Sequence, residues 1–137
     1  MSVYKALLLG RNEVPPVATP AVGTAVFLHD EAAGRLRFRL EVQNIRRMTQ
    51  AHIHLGRPGQ NGPVVAFLFG RSAFGISTGR GVVRGTLTAR NLVGPLQGRT
   101  IRDLVREIRN GNAYVNVHTT QHPNGEIRGH IRGAVIR

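Results

Sequence analysis

Leu36, Phe38, Leu40 and Val42 alternate with Arg35, Arg37, Arg39 and Glu41. A period of two sustained over this stretch predicts an antiparallel strand with one face in a core and the other in solvent or against a partner. The segment 21–30, AVGTAVFLHD, reads as its hairpin partner across the turn EAAG at 31–34. Further short runs at 4–9, 51–55, 64–69, 81–89, 113–119 and 125–133 bring the expectation to about eight strands, the pattern of an all-β sandwich or barrel. Asn-Gly pairs at 61–62, 110–111 and 124–125 mark turns or caps, since both residues accept positive φ at little cost. The stretch VPPVATP, 14–20, reads as an irregular edge.

One segment keeps a different period. Ile101, Leu104, Val105 and Ile108 follow the i, i+3, i+4, i+7 spacing of a helix. Thr100 with Asp103 forms a capping-box start, and Gly111 suits the end. This predicts one short amphipathic helix near 101–110 whose apolar stripe plugs an end of the core.

Composition narrows the chemistry. The chain has 137 residues, which suits a single domain over 1–137 with a core of its own. It has no cysteine, so disulfides, thiolate metal sites and cysteine nucleophiles are excluded. The net charge is +12, and Lys5 is the single lysine among the 19 basic residues. Arginine forks suit carboxylate and phosphate. The aromatics are few, with no tryptophan, which argues against nucleic acid held on a stacking platform. No apolar run reaches the roughly 20 residues of a transmembrane helix. The apolar run at the N-terminus is too short for a signal peptide, so no leader is expected within these residues and the cellular address stays open.

The histidines carry the most specific signal. His52 and His54 alternate with Ala51, Ile53 and Leu55, so a strand puts both imidazoles on one face, with Cα atoms about 6.6 Å apart. That separation lets two rings converge on one ion at about 2.0–2.1 Å. Far along the chain, His118 lies opposite Val115 and Val117, His122 follows in a turn, and His130 shares a face with Arg128 and Arg132. If these strands are neighbours, His118 completes a three-nitrogen site with His52 and His54, and His122 and His130 are auxiliary candidates. Three neutral imidazoles suit copper or zinc, with copper higher in intrinsic affinity. The plainer alternative is surface or backbone-bonded histidines. Glu126 reads as a structural carboxylate, in an ion pair or bonded to backbone amides. No nucleophile elbow, P-loop, dinucleotide fingerprint or carboxylate pair is present, so no catalytic residue is assigned.

The segments LLGRNEVPPVATPAVGTAVF (8–27), LRFRLEVQNI (36–45), TQAHIHLGRPGQNGPVVAFLF (49–69), GTLTARNLVGPLQG (85–98) and IRNGNAYVNVHTTQHPNGEIRGHI (108–131) resemble, in order, a chordin-type CHRD domain. The resemblance implies a Greek-key β-sandwich. It implies little about activity: the domain is named for an extracellular growth-factor antagonist in which it repeats, and bacterial members are often single-domain and exported. The cysteine-rich modules that accompany it in chordin are absent here, so antagonism does not transfer. A second resemblance is more chemical. AHIHLG and VNVHT are similar to the copper-holding strands of copper/zinc superoxide dismutases, and NGEIRGHI to the segment with their anion-guiding arginine. Carried over, His52, His54 and His118 would be copper ligands, and Arg128 the guide. No histidine lies between His54 and His118, so the bridging ligand and the zinc subloop are missing, and dismutase activity is not the favoured role. Arg128 has a simpler reading as a surface residue paired with Glu126 or Glu107.

Two functions follow as expectations. One is a metal-binding sandwich that binds or delivers copper, or runs modest redox chemistry. The other is a metal-free assembly module whose arginine-rich face meets an acidic protein or an anionic polymer. Charge-driven binding of nucleic acid ranks below both.

Overall fold

The computed structural model describes residues 1–72 and 75–134. It is an antiparallel all-β sandwich of eight strands with one short helix, as expected, and its sheet folds over to close in a barrel-like arrangement. The strands are β1 (Ser2–Leu9), β2 (Val22–Asp30), β3 (Arg35–Leu55), β4 (Val64–Phe69), β5 (Ile76–Leu87), β6 (Ala113–Thr119), β7 (Ile127–His130) and β8 (Arg132–Ala134). The helix α1 spans Ile101–Arg109.

The alternating pattern is realised in β2 and the first half of β3, which pair residue for residue from Val22↔Gln43 to Asp30↔Arg35. Gly34 closes their turn at φ +63°. Two of the sequence-based strands, 35–42 and 51–55, are one strand: β3 runs unbroken through both. Asn44 and Arg47 have positive φ, and the pairing registers of β3 shift beside them. These local twists bend β3 so that its first half pairs with β2 and β5, and its second half with β4 and β6. Conversely, the expected strand 125–133 is two. Ile131, fully buried, separates β7, which pairs with β6, from β8, which pairs with β1. β5 begins at Ile76 rather than 81, because the polar stretch ISTGR pairs with the bend of β3.

One layer is therefore β8–β1–β2–β3–β5 and the other β7–β6–β3–β4, joined through the bend and through the Leu9↔Arg128 pair. Between them lie Leu8, Phe27, Leu36, Leu40, Ile45, Ile53, Val115, Val117 and Ile127, all buried. Thr100 and Asp103 cap α1 reciprocally, and Ile101, Leu104, Val105 and Ile108 are buried in this core, as the helical spacing predicts. Of the three Asn-Gly glycines, Gly111 and Gly125 have positive φ, but Gly62 does not. Gly62 is required by proximity: a Cβ there would sit 1.6 Å from the Leu55 carbonyl oxygen.

Leu104 is fully buried, so Leu104→Ala should lower unfolding stability by about 2–5 kcal/mol. Arg90→Ala, at an exposed position, should stay within about 0.5 kcal/mol. Urea denaturation of the two variants checks this; equal effects would mean that α1 does not plug the core.

Candidate metal centre

The outer face of β3, β6 and β7 is polar by sequence and buried in the structure. Cross-strand pairing sets His52 beside Asn116 and Asn116 beside Arg128. The next row holds His54, Tyr114 and His130, and Gln50 pairs with His118. Every residue of β6 is buried, and Arg128 is only 1% exposed. This face is roofed by the segments 10–21 and 56–63.

Buried polar groups need partners, and the roof supplies them. Gly62 donates its N–H to the Tyr114 hydroxyl at 3.0 Å, and its carbonyl accepts the Nδ1–H of His54 at 2.9 Å. His130 donates from Nε2 to the Gly56 carbonyl at 2.8 Å. Arg128 donates to the Asn61 side chain at 2.9 Å and to the Gln60 carbonyl, with its guanidinium 3.6 Å from the centre of the Tyr114 ring. Asn61 in turn donates to the Val14 carbonyl, tying the two roof segments together. The glycine that presses against Leu55 is thus the residue that orients His54.

His52, His54 and His118 come together. Each offers one nitrogen, and these three atoms lie within 4.8 Å of one another. His54 gives its one proton to Gly62, which leaves Nε2 bare; that atom is buried and has no partner. His52 donates from Nε2 to the Gln50 side-chain carbonyl at 3.0 Å, which leaves Nδ1 bare, buried and without a partner. His118 donates from Nδ1 to the Pro123 carbonyl at 2.7 Å, so Nε2 is its bare nitrogen. Asn116 Oδ1 lies 3.0 Å from that atom, so the lone pair of Nε2 faces an acceptor rather than a donor. Three rings whose protons are tied to outer oxygens, with their lone pairs turned together, make a group that could hold a metal ion. Phe67, 43% exposed, packs edge-on against His52 at 4.4 Å and covers that ring from β4.

The CHRD domain model matches residues 4–131, nearly the whole length of this sandwich. The chain belongs to the CHRD domain family. No curated protein matches it.

The electrostatics of this CHRD domain keep the imidazoles neutral, the form that ligates metal. Burial pushes His52 down to about 3, and the neighbouring His118 and His54 and the Arg71 charge add to the effect. Burial likewise lowers His54 and His118, against the opposing pull of the Gly62 and Pro123 carbonyls.

The remaining sequence candidates sit elsewhere. His122, half-buried, lies in the turn after β6, and its backbone closes that turn on Thr119. His130 sits across Tyr114 from His54, held by Gly56. Neither joins the three-nitrogen group. Arg128 is not a surface residue paired with Glu126 or Glu107: among the described residues no carboxylate is within ion-pair distance, and it braces the roof. Among the described residues the Glu126 carboxylate makes neither an ion pair nor a bond to backbone amides. It accepts the hydroxyls of Thr19 at 2.7 Å and Thr119 at 2.8 Å, locking segment 10–21 onto the end of β6. The unexpected carboxyl is Glu13, buried with Oε2 unpartnered and pushed up to about 7 by burial despite Arg128 and the Asn116 amide. Its only trace in the sequence is the family segment EVPP. Tyr114 and Asn116 were visible as the partners of His118 on the outer side of β6, but not as members of a buried layer.

Histidines held below their ordinary value bind fewer protons folded than unfolded. Between about pH 6.5 and 3 they lower stability as pH falls. Glu13 acts in the opposite sense: its contribution is full below about 4.5 and is lost as pH rises through about 7. The lowered histidines, with His29 and His130 among them, outnumber this one carboxyl. The melting temperature of chelator-treated protein should therefore fall between pH 7 and pH 4. A flat or rising profile would contradict neutral buried imidazoles.

Proposed function

We propose that this CHRD domain binds a transition-metal ion through His52 Nδ1, His54 Nε2 and His118 Nε2, with copper preferred over zinc, and that it serves to hold and deliver the ion. One observation carries the reading: two buried imidazole nitrogens lack any partner, and a third is turned to the same place. Leaving such atoms unsatisfied is costly, and a shared cation satisfies all of them at once. The set is purely nitrogenous, which disfavours magnesium and calcium and follows the affinity order in which copper leads. The bound ion would supply Lewis acidity and, for copper, a one-electron couple. The chain's part is to pin each ring proton outward, keep the rings neutral and roof the site. No carboxylate and no fourth histidine joins the group among the described residues. Binding and delivery therefore rank above enzymatic turnover.

Copper titration followed by calorimetry and elemental analysis tests this. The wild-type protein should take up one ion, and His52→Ala should weaken binding by more than about 100-fold. His122→Ala should leave binding unchanged, because that ring stands outside the group. Unaltered affinity in His52→Ala, or tighter binding of zinc than of copper, would overturn the proposal. Gly62→Ala should weaken copper binding too, by displacing the carbonyl that fixes His54.

A further inference from the structure

Strand register lines up cations that are scattered in sequence. Lys5 on β1 pairs with Arg132 on β8 and, on its other side, with Val26 on β2. Val26 pairs with Arg39 on β3, and Arg39 with Arg84 on β5. One row of the outer face, crossing five strands, thus reads Arg132–Lys5–Val26–Arg39–Arg84. Four inter-strand steps of about 4.8 Å make it roughly 19 Å long. Arg37 stands in the adjacent row beside Thr86. Lys5, Arg37, Arg84 and Arg132 are exposed, and no ion pair among the described residues involves any of them. Glu41 is the acidic residue of this face near the row, and it is already shared by Arg39 and Arg80.

At the β1 end the row enters a groove of about 1020 Å³ floored by Leu7, Leu9 and Val26 and walled by Arg11 and Arg132. Leu7 is 57% exposed there, a large apolar side chain left on a cationic surface. The row itself lies on the opposite layer from the imidazole group, while the groove at its end also reaches Glu13, Arg128 and His130.

We infer that this face binds a linear carboxylated polysaccharide laid across the strands. The charges sit on the sheet face rather than along an edge, so they do not suit a peptide added as an extra strand. They are held in register by backbone pairing, and a stiff polyanion with regularly repeating carboxylates loses less entropy on meeting such a row than a flexible acidic chain does. Arginine forks match carboxylates. No phenylalanine, tyrosine or tryptophan stands in the row or lines the groove, and its one imidazole, His130, is tied to the Gly56 carbonyl, which leaves nucleic-acid bases without a broad stacking platform.

Polygalacturonate is the probe, with poly-glutamate and single-stranded DNA as competitors, using chelator-treated full-length protein. The triple variant Lys5→Ala/Arg84→Ala/Arg132→Ala is compared with Arg46→Ala/Arg90→Ala/Arg99→Ala, which removes the same charge from exposed positions outside the row. The first should lose at least about 10-fold in affinity at low salt and flatten the salt dependence by about 2 in slope. The second should change affinity less than about 3-fold. Equal losses in both would overturn the row in favour of diffuse charge. Tighter binding of poly-glutamate or DNA would overturn the polysaccharide. Amide chemical shifts of the wild-type protein provide a reading that needs no variant: they should move along β8, β1, β2, β3 and β5. Shifts confined to other segments would contradict the site.

Discussion

The structure depends on how a buried polar face is satisfied. β3, β6 and β7 present histidine, tyrosine, asparagine and arginine side chains on their outer side, and all but the half-buried His130 are buried. Leaving such groups unpaired costs about 1–3 kcal/mol each. The roof 56–63 answers with backbone atoms: the Gly56, Gln60 and Gly62 carbonyls and the Gly62 N–H each meet one of these side chains. The segment could not approach so closely with a side chain at residue 62. Arg128, stacked over Tyr114 and forked onto the roof, is buried without a counter-carboxylate in ion-pair contact because its hydrogen bonds go to amide oxygens and its charge lies on an aromatic face.

What remains unsatisfied is then informative. In a layer where nearly every donor and acceptor is matched, the exceptions are Glu13 Oε2, His52 Nδ1 and His54 Nε2. Two of the three belong to rings that converge with His118. One of the bonds that build the roof, from His54 to the Gly62 carbonyl, also selects a tautomer; Gln50 on β3 and Pro123 after β6 select the other two. Roof and ligand set thus meet at His54: the carbonyl that holds it belongs to the residue whose N–H holds Tyr114, and the Tyr114 ring lies parallel to the imidazole at 4.9 Å.

Much of this was legible in the chain. Alternation in 35–42 gave a strand with a buried face, and the helical spacing of 101–108 gave α1 and its cap. The period of two placed His52 and His54 together and His118 opposite the valines. The bend of β3 was not legible, because left-handed backbone at Asn44 and Arg47 leaves no mark in the hydrophobic pattern. Nor was the burial of the polar face. A polar alternation reads as solvent exposure, and only the roof, positioned by contacts some 50 or more residues apart in sequence, turns it into an interior. The surface reading of Arg128 failed for the same reason, since it is a buried brace; Glu126, read as structural, is structural but bonds hydroxyls instead of an ion or backbone amides.

The central claim is that three neutral imidazoles hold their protons outward and their lone pairs inward. Long-range ¹⁵N–¹H correlation spectra of the metal-free protein at pH 7 read this directly. The account predicts single, non-exchanging tautomers: Nε2–H for His52, and Nδ1–H for both His54 and His118. A protonated, doubly N–H ring or the opposite tautomer at any of the three would contradict it.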